Sequence, residues 1–323
     1  MSAPMPLVDS TFSPPRLLRQ GHLATVLPAF LPAARRAWTR QERLELEDGD
    51  FLDLAWRQHH RPALAILSHG LEGSVGAGYI RGMAASLHGA GWDVLAWNYR
   101  NCGGVPNRLL RSYHSGESGD LRRVVEHAAR DYGRIALVGF SLGGNITLKY
   151  AGEQPPHPSV CAVAAVSAPV DLASSARALD ERRGNRLYLR RFLKTLLSKT
   201  AEKARRFPGA ADPDILREIR TIRGFDERVT APWHGFAGAE DYWARASALP
   251  CLTGIGLPAL LLNALDDPLL DGPSFPRSAA MASPCFLLET PARGGHVGFM
   301  DFARGLQPWH ERRVVQFLAP WAA

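Results

Sequence analysis

Nearly unbroken apolar runs recur along the chain: ALAILS (63–68), DVLAWNY (93–99), IALVGF (135–140), VCAVAAVS (160–167), ALLLNA (259–264) and CFLLET (285–290). Runs of this length without polar alternation suit strands buried on both faces. Between them, helical spacing of apolar positions predicts helices near 77–89, 118–130, 142–152, 272–282 and 308–319. Strands alternating with helices predict a mainly parallel sheet covered by helices on both sides. Upstream, RLELEDGDFLDLAW sets two alternating runs around Asp48-Gly49. That is a hairpin signal and predicts an antiparallel edge. The Pro-rich opening residues are expected to lie as an arm over the surface.

The rhythm breaks once. About ninety residues separate Ser167 from Pro258, more than one crossover needs. The expectation is a single domain over 1–323 with an inserted helical cap at about 171–240. Within it, Leu189, Phe192, Leu193, Leu196 and Leu197 fall at helical spacing, with Arg190, Arg191, Lys194 and Lys199 largely off that stripe. Such a helix either packs its stripe on the body and solvates its charges, or makes weak, peripheral, salt-sensitive contact with an anionic membrane.

Charge sharpens this picture. The formal net charge is +7. Residues 180–223 hold thirteen Lys/Arg and six Asp/Glu, so this one stretch carries the whole excess. A nucleic-acid surface would interleave stacking aromatics with its cations, and this stretch has few; no nucleic-acid partner is expected. No run approaches the 18 apolar residues of a membrane span. The first twenty residues lack a basic start followed by an apolar core, so no secretory leader is expected. Cys102, Cys161, Cys251 and Cys285 are scattered without a C-x-x-C pair, which points to free thiols in the cytoplasm.

The chemistry collects at strand ends, where open parallel sheets bind ligands. GFSLGGN (139–145) follows one strand, SHGLEGS (68–74) another, ALDDP (264–268) a third and GGHVGF (294–299) a fourth. G-x-S-x-G between a strand and a helix reads as a nucleophile elbow exposing Ser141, and Ser, then Asp, then His is the chain order of an α/β-hydrolase triad. His296 is the candidate base that activates the hydroxyl. Asp266 and Asp267 compete to orient it; Asp267, just before Pro268, is preferred, leaving Asp266 to cap the turn. The oxyanion needs two backbone N–H donors, and Leu142 and Leu71 are the candidates. His69 and His114 read as structural. GAGYIRG (76–82) has G-x-G-x-x-x-G spacing and no preceding strand, so it is not a dinucleotide site. No cofactor and no metal are expected.

Beyond the elbow, GHLATVLPAFL (21–31), NYRNCGG (98–104), NRLLRSYHSGESGDL (107–121), DYWARAS (241–247) and NALDDPLL (263–270) resemble the YheT-like branch of the α/β-hydrolases, which includes abhydrolase-domain lipases and EMB8-like esterases. The resemblance runs from about residue 21 to 300 and implies the α/β-hydrolase fold. It also implies a triad of Ser141, Asp267 and His296 and hydrolysis of carboxylic esters, small or lipid, through an acyl-enzyme. Asn101 stands where the family usually has glycine, and Ala24 where glutamine is usual. An acyltransferase with the same triad, or a silent binding protein on this scaffold, are the alternatives.

Overall fold

The computed structural model describes residues 6–30, 38–303 and 305–322. Among these, nine strands form one sheet: β1 (Leu7–Val8), β2 (Arg40–Glu45), β3 (Phe51–Arg57), β4 (Leu64–Ser68), β5 (Asp93–Trp97), β6 (Ile135–Phe140), β7 (Val160–Val166), β8 (Ala259–Leu262) and β9 (Phe286–Glu289). Their order is β1-β9-β8-β7-β6-β4-β5-β3-β2. Pairing is parallel from β1 through to β5 and antiparallel at β5–β3 and β3–β2. The hairpin edge is therefore present, and the fold is that of an α/β-hydrolase.

Side-chain alternation builds the two faces. Leu64, Ile66, Leu95, Trp97, Leu137 and Val163 face one cluster, whereas Ala65, Leu67, Val94, Ala96, Val138 and Ala164 face the other. All are within 1% of full burial, and truncating one of the large ones costs about 2–5 kcal/mol. Helices α1 (Gly21–Val26), α2 (Gly78–Gly89), α3 (Ser118–Ala128) and α4 (Leu142–Glu153) precede β7. Between β7 and β8 lie α5 (Leu172–Glu181), α6 (Arg186–Arg206), α7 (Pro213–Glu218), α8 (Ile222–Phe225), α9 (Ala231–His234) and α10 (Ala239–Ala246). A π-helical turn, Asp226–Thr230, joins α8 to α9. Helices α11 (Arg277–Ala282) and α12 (Trp309–Leu318) complete the chain.

Two expectations change. The described part of the N-terminal arm is more than a surface strap: Leu7 pairs with Leu288 and Val8 with Glu289, adding a parallel strand at the edge. Two residues are too few for a pattern to reveal, and the pairing is a purely tertiary gain. The helix expected at 272–282 breaks after a 3-10 turn at Gly272–Ser274 and resumes only at Arg277, because Pro276 lacks the N–H a continuous helix needs. Residues 1–5 of the arm, and Leu31 at the end of GHLATVLPAFL, lie outside the described residues. No described helix is long and apolar enough to cross a membrane.

β4 pairs with β6 on one side and β5 on the other. The chain reaches β5 through α2 and returns past β4 to β6, so connections leave β4 and β6 in opposite directions. Such a switch point opens a crevice at the carboxyl ends of the strands. Ser68 is paired with Gly139, which puts the loop after β4 beside the loop after β6.

Candidate active site

The turn after β6 strains one residue and crowds the others. Ser141 has φ +52° and ψ −123°, a conformation L residues rarely adopt. Its N–H donates to Val166 O at 2.9 Å, and its carbonyl accepts from Gly144 N at 2.9 Å as α4 begins. The glycines serve close approach. A Cβ on Gly143 would fall 2.4 Å from Ser68 O and 2.5 Å from His69 O, and one on Gly139 would fall 2.2 Å from Gly143 O. The first turn of α4 thus rests on the end of β4, and the unusual dihedral belongs to the serine itself.

His296 is carried in by a loop with left-handed Gly295 (φ +61°) and Val297 (φ +58°). Its N–H donates to Thr25 Oγ1 on α1 at 2.8 Å, and the Val297 N–H to Ser167 Oγ at 2.9 Å. So held, the imidazole places Nε2 2.9 Å from Ser141 Oγ and Nδ1 2.8 Å from Asp267 Oδ2. Asp267 Oδ1 accepts the Leu269 N–H at 2.9 Å, and the carboxylate is wholly buried. With Nδ1–H given to a carboxylate, Nε2 is left as the acceptor of the serine proton. Asp266 turns elsewhere: its Oδ1 accepts the Gly295 N–H at 2.9 Å, fastening the histidine loop, and burial raises its carboxyl above the usual range.

On the other side of Ser141, Gly70 packs so closely that a Cβ there would lie 3.1 Å from Ser141 Cβ. The Gly70 N–H donates to the Tyr79 hydroxyl at 2.9 Å, and the Glu72 N–H to the Tyr113 hydroxyl at 3.0 Å. Between these anchored amides the Leu71 N–H meets no protein acceptor among the described residues, and neither does Leu142 N–H. These are two unpaired donors, one directly after Ser141 and one directly after Gly70, which packs against it; backbone donors of this kind can serve an oxyanion.

His69 props this loop. Its Nε2 accepts the Tyr99 N–H at 3.3 Å, so Nδ1 donates to Gly70 O at 2.8 Å. Burial pushes its pKa down to about 3, keeping it neutral. His114 packs against His234, Phe236 and Tyr242 and accepts the Gly116 N–H. Both are structural.

Helix α6 corrects one sequence expectation. Leu189 and Leu193 are buried and Arg190, Arg191 and Lys194 exposed, as its stripe implied. Lys199, grouped there with the off-stripe charges, instead turns inward to Glu72 at 3.0 Å. Its partner is distant in sequence, and no helical pattern could show it. At the other end of α6, Tyr188 stacks on His22 of α1, with its hydroxyl 3.3 Å from His22 Nδ1. Sequence reasoning missed Tyr188, His22, Thr25 and Tyr113 because none sits at a strand end.

The family described as alpha/beta hydrolase fold matches residues 66–303. The chain is 35% identical over 324 aligned positions to the Escherichia coli (strain K12) protein named "Putative esterase YheT", covering 97% of this chain and 94% of that one. It is 28% identical over 309 positions to human Phospholipase ABHD3, covering 92% and 75%. The esterase Pf2001 of Pyrococcus furiosus superposes with a TM-score of 0.62 at 18% identity, covering 90% and 97%, a likeness of fold.

Proposed function

The chain belongs to the α/β-hydrolase family, and we propose that it hydrolyses carboxylic esters through an acyl-enzyme formed on Ser141. The observation that carries this reading is the unbroken relay from Ser141 Oγ to His296 to the buried Asp267 carboxylate, at 2.9 and 2.8 Å.

The roles follow from the donors and acceptors. His296 Nε2 takes the hydroxyl proton as Ser141 Oγ attacks the acyl carbon. Asp267 holds the imidazole in the tautomer that can do so and stabilises the imidazolium. The carbonyl oxygen gains charge and receives the Leu71 and Leu142 N–H groups. His296 then returns its proton to the departing alkoxide, which leaves as the alcohol. A water gives a proton to His296 and its oxygen to the acyl carbon; the ester bond to Ser141 breaks as His296 returns that proton to Ser141 Oγ, and the acid departs.

The substrate is a lipid or smaller ester. Human Phospholipase ABHD3 and the Saccharomyces cerevisiae monoacylglycerol lipase are relatives named for lipids. In this reading residues 1–323 form one hydrolase domain and 171–240 its cap. Helix α6 covers the crevice, and its exposed Arg190, Arg191 and Lys194 meet an anionic membrane peripherally. All four cysteines are free thiols, as the cytoplasm keeps them.

A panel of p-nitrophenyl esters from acetate to palmitate, run with wild type and Ser141→Ala, tests the reading. Turnover that peaks at one chain length and vanishes in the variant supports it. Turnover unchanged in Ser141→Ala overturns it.

A further inference from the structure

Glu72 is a costly residue in its place. It follows Leu71 directly, has φ +55°, and its side chain is only 5% exposed. A left-handed, non-glycine residue persists only where its surroundings hold it. A buried carboxylate likewise persists only when paired.

Two side chains hold it. The Tyr113 hydroxyl accepts the Glu72 N–H at 3.0 Å and donates to Glu72 Oε1 at 2.8 Å, gripping main chain and side chain together. The charge is met by Lys199 Nζ, 3.1 Å from Oε1 and 3.0 Å from Oε2. Lys199 comes from α6 and also lies 3.5 Å from the buried Cys102 Sγ, in the loop after β5. Eleven positions earlier on the same helix, about 16 Å along its axis, Tyr188 meets His22 of α1, the helix whose Thr25 receives the His296 N–H. One helix therefore touches the supports of both halves of the site.

We propose that Lys199 is a positioning residue: through Glu72 it fixes the Leu71 N–H, so that the oxyanion site is complete only while α6 is docked. The catalytic part of this rests on the ester-hydrolase reading; the mechanical part does not. When α6 lifts, Glu72 loses its counter-charge, and Tyr113 alone is left to hold both its carboxylate and its left-handed backbone. The loop relaxes and Leu71 N–H leaves its aim. Substrate entry and oxyanion binding are thereby made to alternate within one turnover.

Lys203 supplies the control. It anchors the same helix by donating to the Asn107 and Leu109 carbonyls, away from the loop after β4. Hydrogen exchange followed by mass spectrometry on the full chain compares wild type, Lys199→Met and Lys203→Met. Lys199→Met should speed exchange of residues 69–74 about tenfold, and Lys203→Met should act on residues 101–110 and leave 69–74 alone. Exchange of 69–74 unchanged in Lys199→Met would overturn the coupling, and equal effects of the two variants would overturn the specific role of Lys199, whether or not any ester is turned over.

The kinetic arm then reads kcat and KM with the best ester of the panel. Lys199→Met should lower kcat on the order of tenfold or more with KM nearly constant, as a misplaced oxyanion donor does. Lys199→Arg should recover most of that loss. A faster-exchanging loop with kcat unchanged would overturn the positioning role. A wild type that hydrolyses no ester would count against the proposed activity and leave the exchange result to judge the coupling.

Discussion

His296 Nδ1 stands 2.8 Å from Asp267 Oδ2, while the adjacent carboxylate of Asp266 fastens the loop that carries His296 by accepting the Gly295 N–H at 2.9 Å. The two acids serve the same histidine in different ways, one through its ring and one through the backbone of the residue before it. Asp267→Asn should therefore lower kcat by about 10⁴, since an amide cannot hold the working tautomer. Asp266→Asn should act chiefly on thermal stability, with a far smaller loss of kcat. Steady-state kinetics beside thermal melts of the two variants check the order, and equal losses of kcat would reverse the assignment.

Ser141→Ala should abolish labelling by a fluorophosphonate and leave the fold intact. Ser141→Gly, equally inactive, should melt at a higher temperature than Ser141→Ala, because glycine accepts φ +52° without strain whereas alanine does not. Melting of the two variants in parallel measures the strain stored at the nucleophile.

The elbow glycines admit no side chain. Gly143→Ala would press a methyl group to within 2.4 Å of Ser68 O, against backbone of the sheet itself. The expected result is a loss of stability of at least about 2 kcal/mol, read from denaturant unfolding. Gly89→Ala, whose Cβ would meet nothing within 4 Å, is the matched control and should be neutral or slightly stabilising.

His310 gives a pH dependence of known sign. It is fully buried beside Phe140 and Phe299, and desolvation pushes its pKa down to about 3. A histidine in an unfolded chain titrates near 6.5, so the unfolded state binds the extra proton between these values. Its contribution to stability is complete above about 6.5 and is lost as pH falls toward 3, at about 1.4 kcal/mol per pH unit. The melting temperature of His310→Leu relative to wild type should therefore rise steadily from pH 7 to pH 4. A constant difference would show that His310 is not held neutral.

Arg190, Arg191 and Lys194 stand exposed on α6. Each cation near an anionic surface contributes about 1 kcal/mol, so changing all three to Gln should weaken vesicle binding on the order of a hundredfold at low salt. Co-sedimentation with phosphatidylserine-containing vesicles, at low and high salt, reads this. Equal sedimentation of wild type and triple variant would leave these cations as solvated charges.

The buried strands were legible because a strand covered on both faces must be apolar throughout, as ALAILS and IALVGF are. Ser141, His296 and the Asp266–Asp267 pair were legible because parallel strands deliver their chemistry at one end, and their chain order is distinctive. What escaped depends on contacts between distant segments. Two residues, Leu7 and Val8, make a strand only because β9 offers an open edge. Lys199 looks like any other cation on an amphipathic helix until Glu72 is brought beneath it. The polar cluster of Arg100 with Asp48, Asp50 and Asp120 is likewise invisible until three separated segments meet.

The pairing of Ser68 with Gly139 divides the labour of sequence change. Ser141 and the Gly70–Leu71 loop emerge from two adjacent, fully sheathed strands whose alignment is fixed by hydrogen bonds. In the proposed reading, the walls that a substrate would meet come from the helices between β7 and β8. Those helices can lengthen, shift or exchange side chains without altering the spacing of the reacting groups. In that reading the reacting groups and the adaptable surface are built from different stretches of chain, and new substrates can be gained by rewriting only the second.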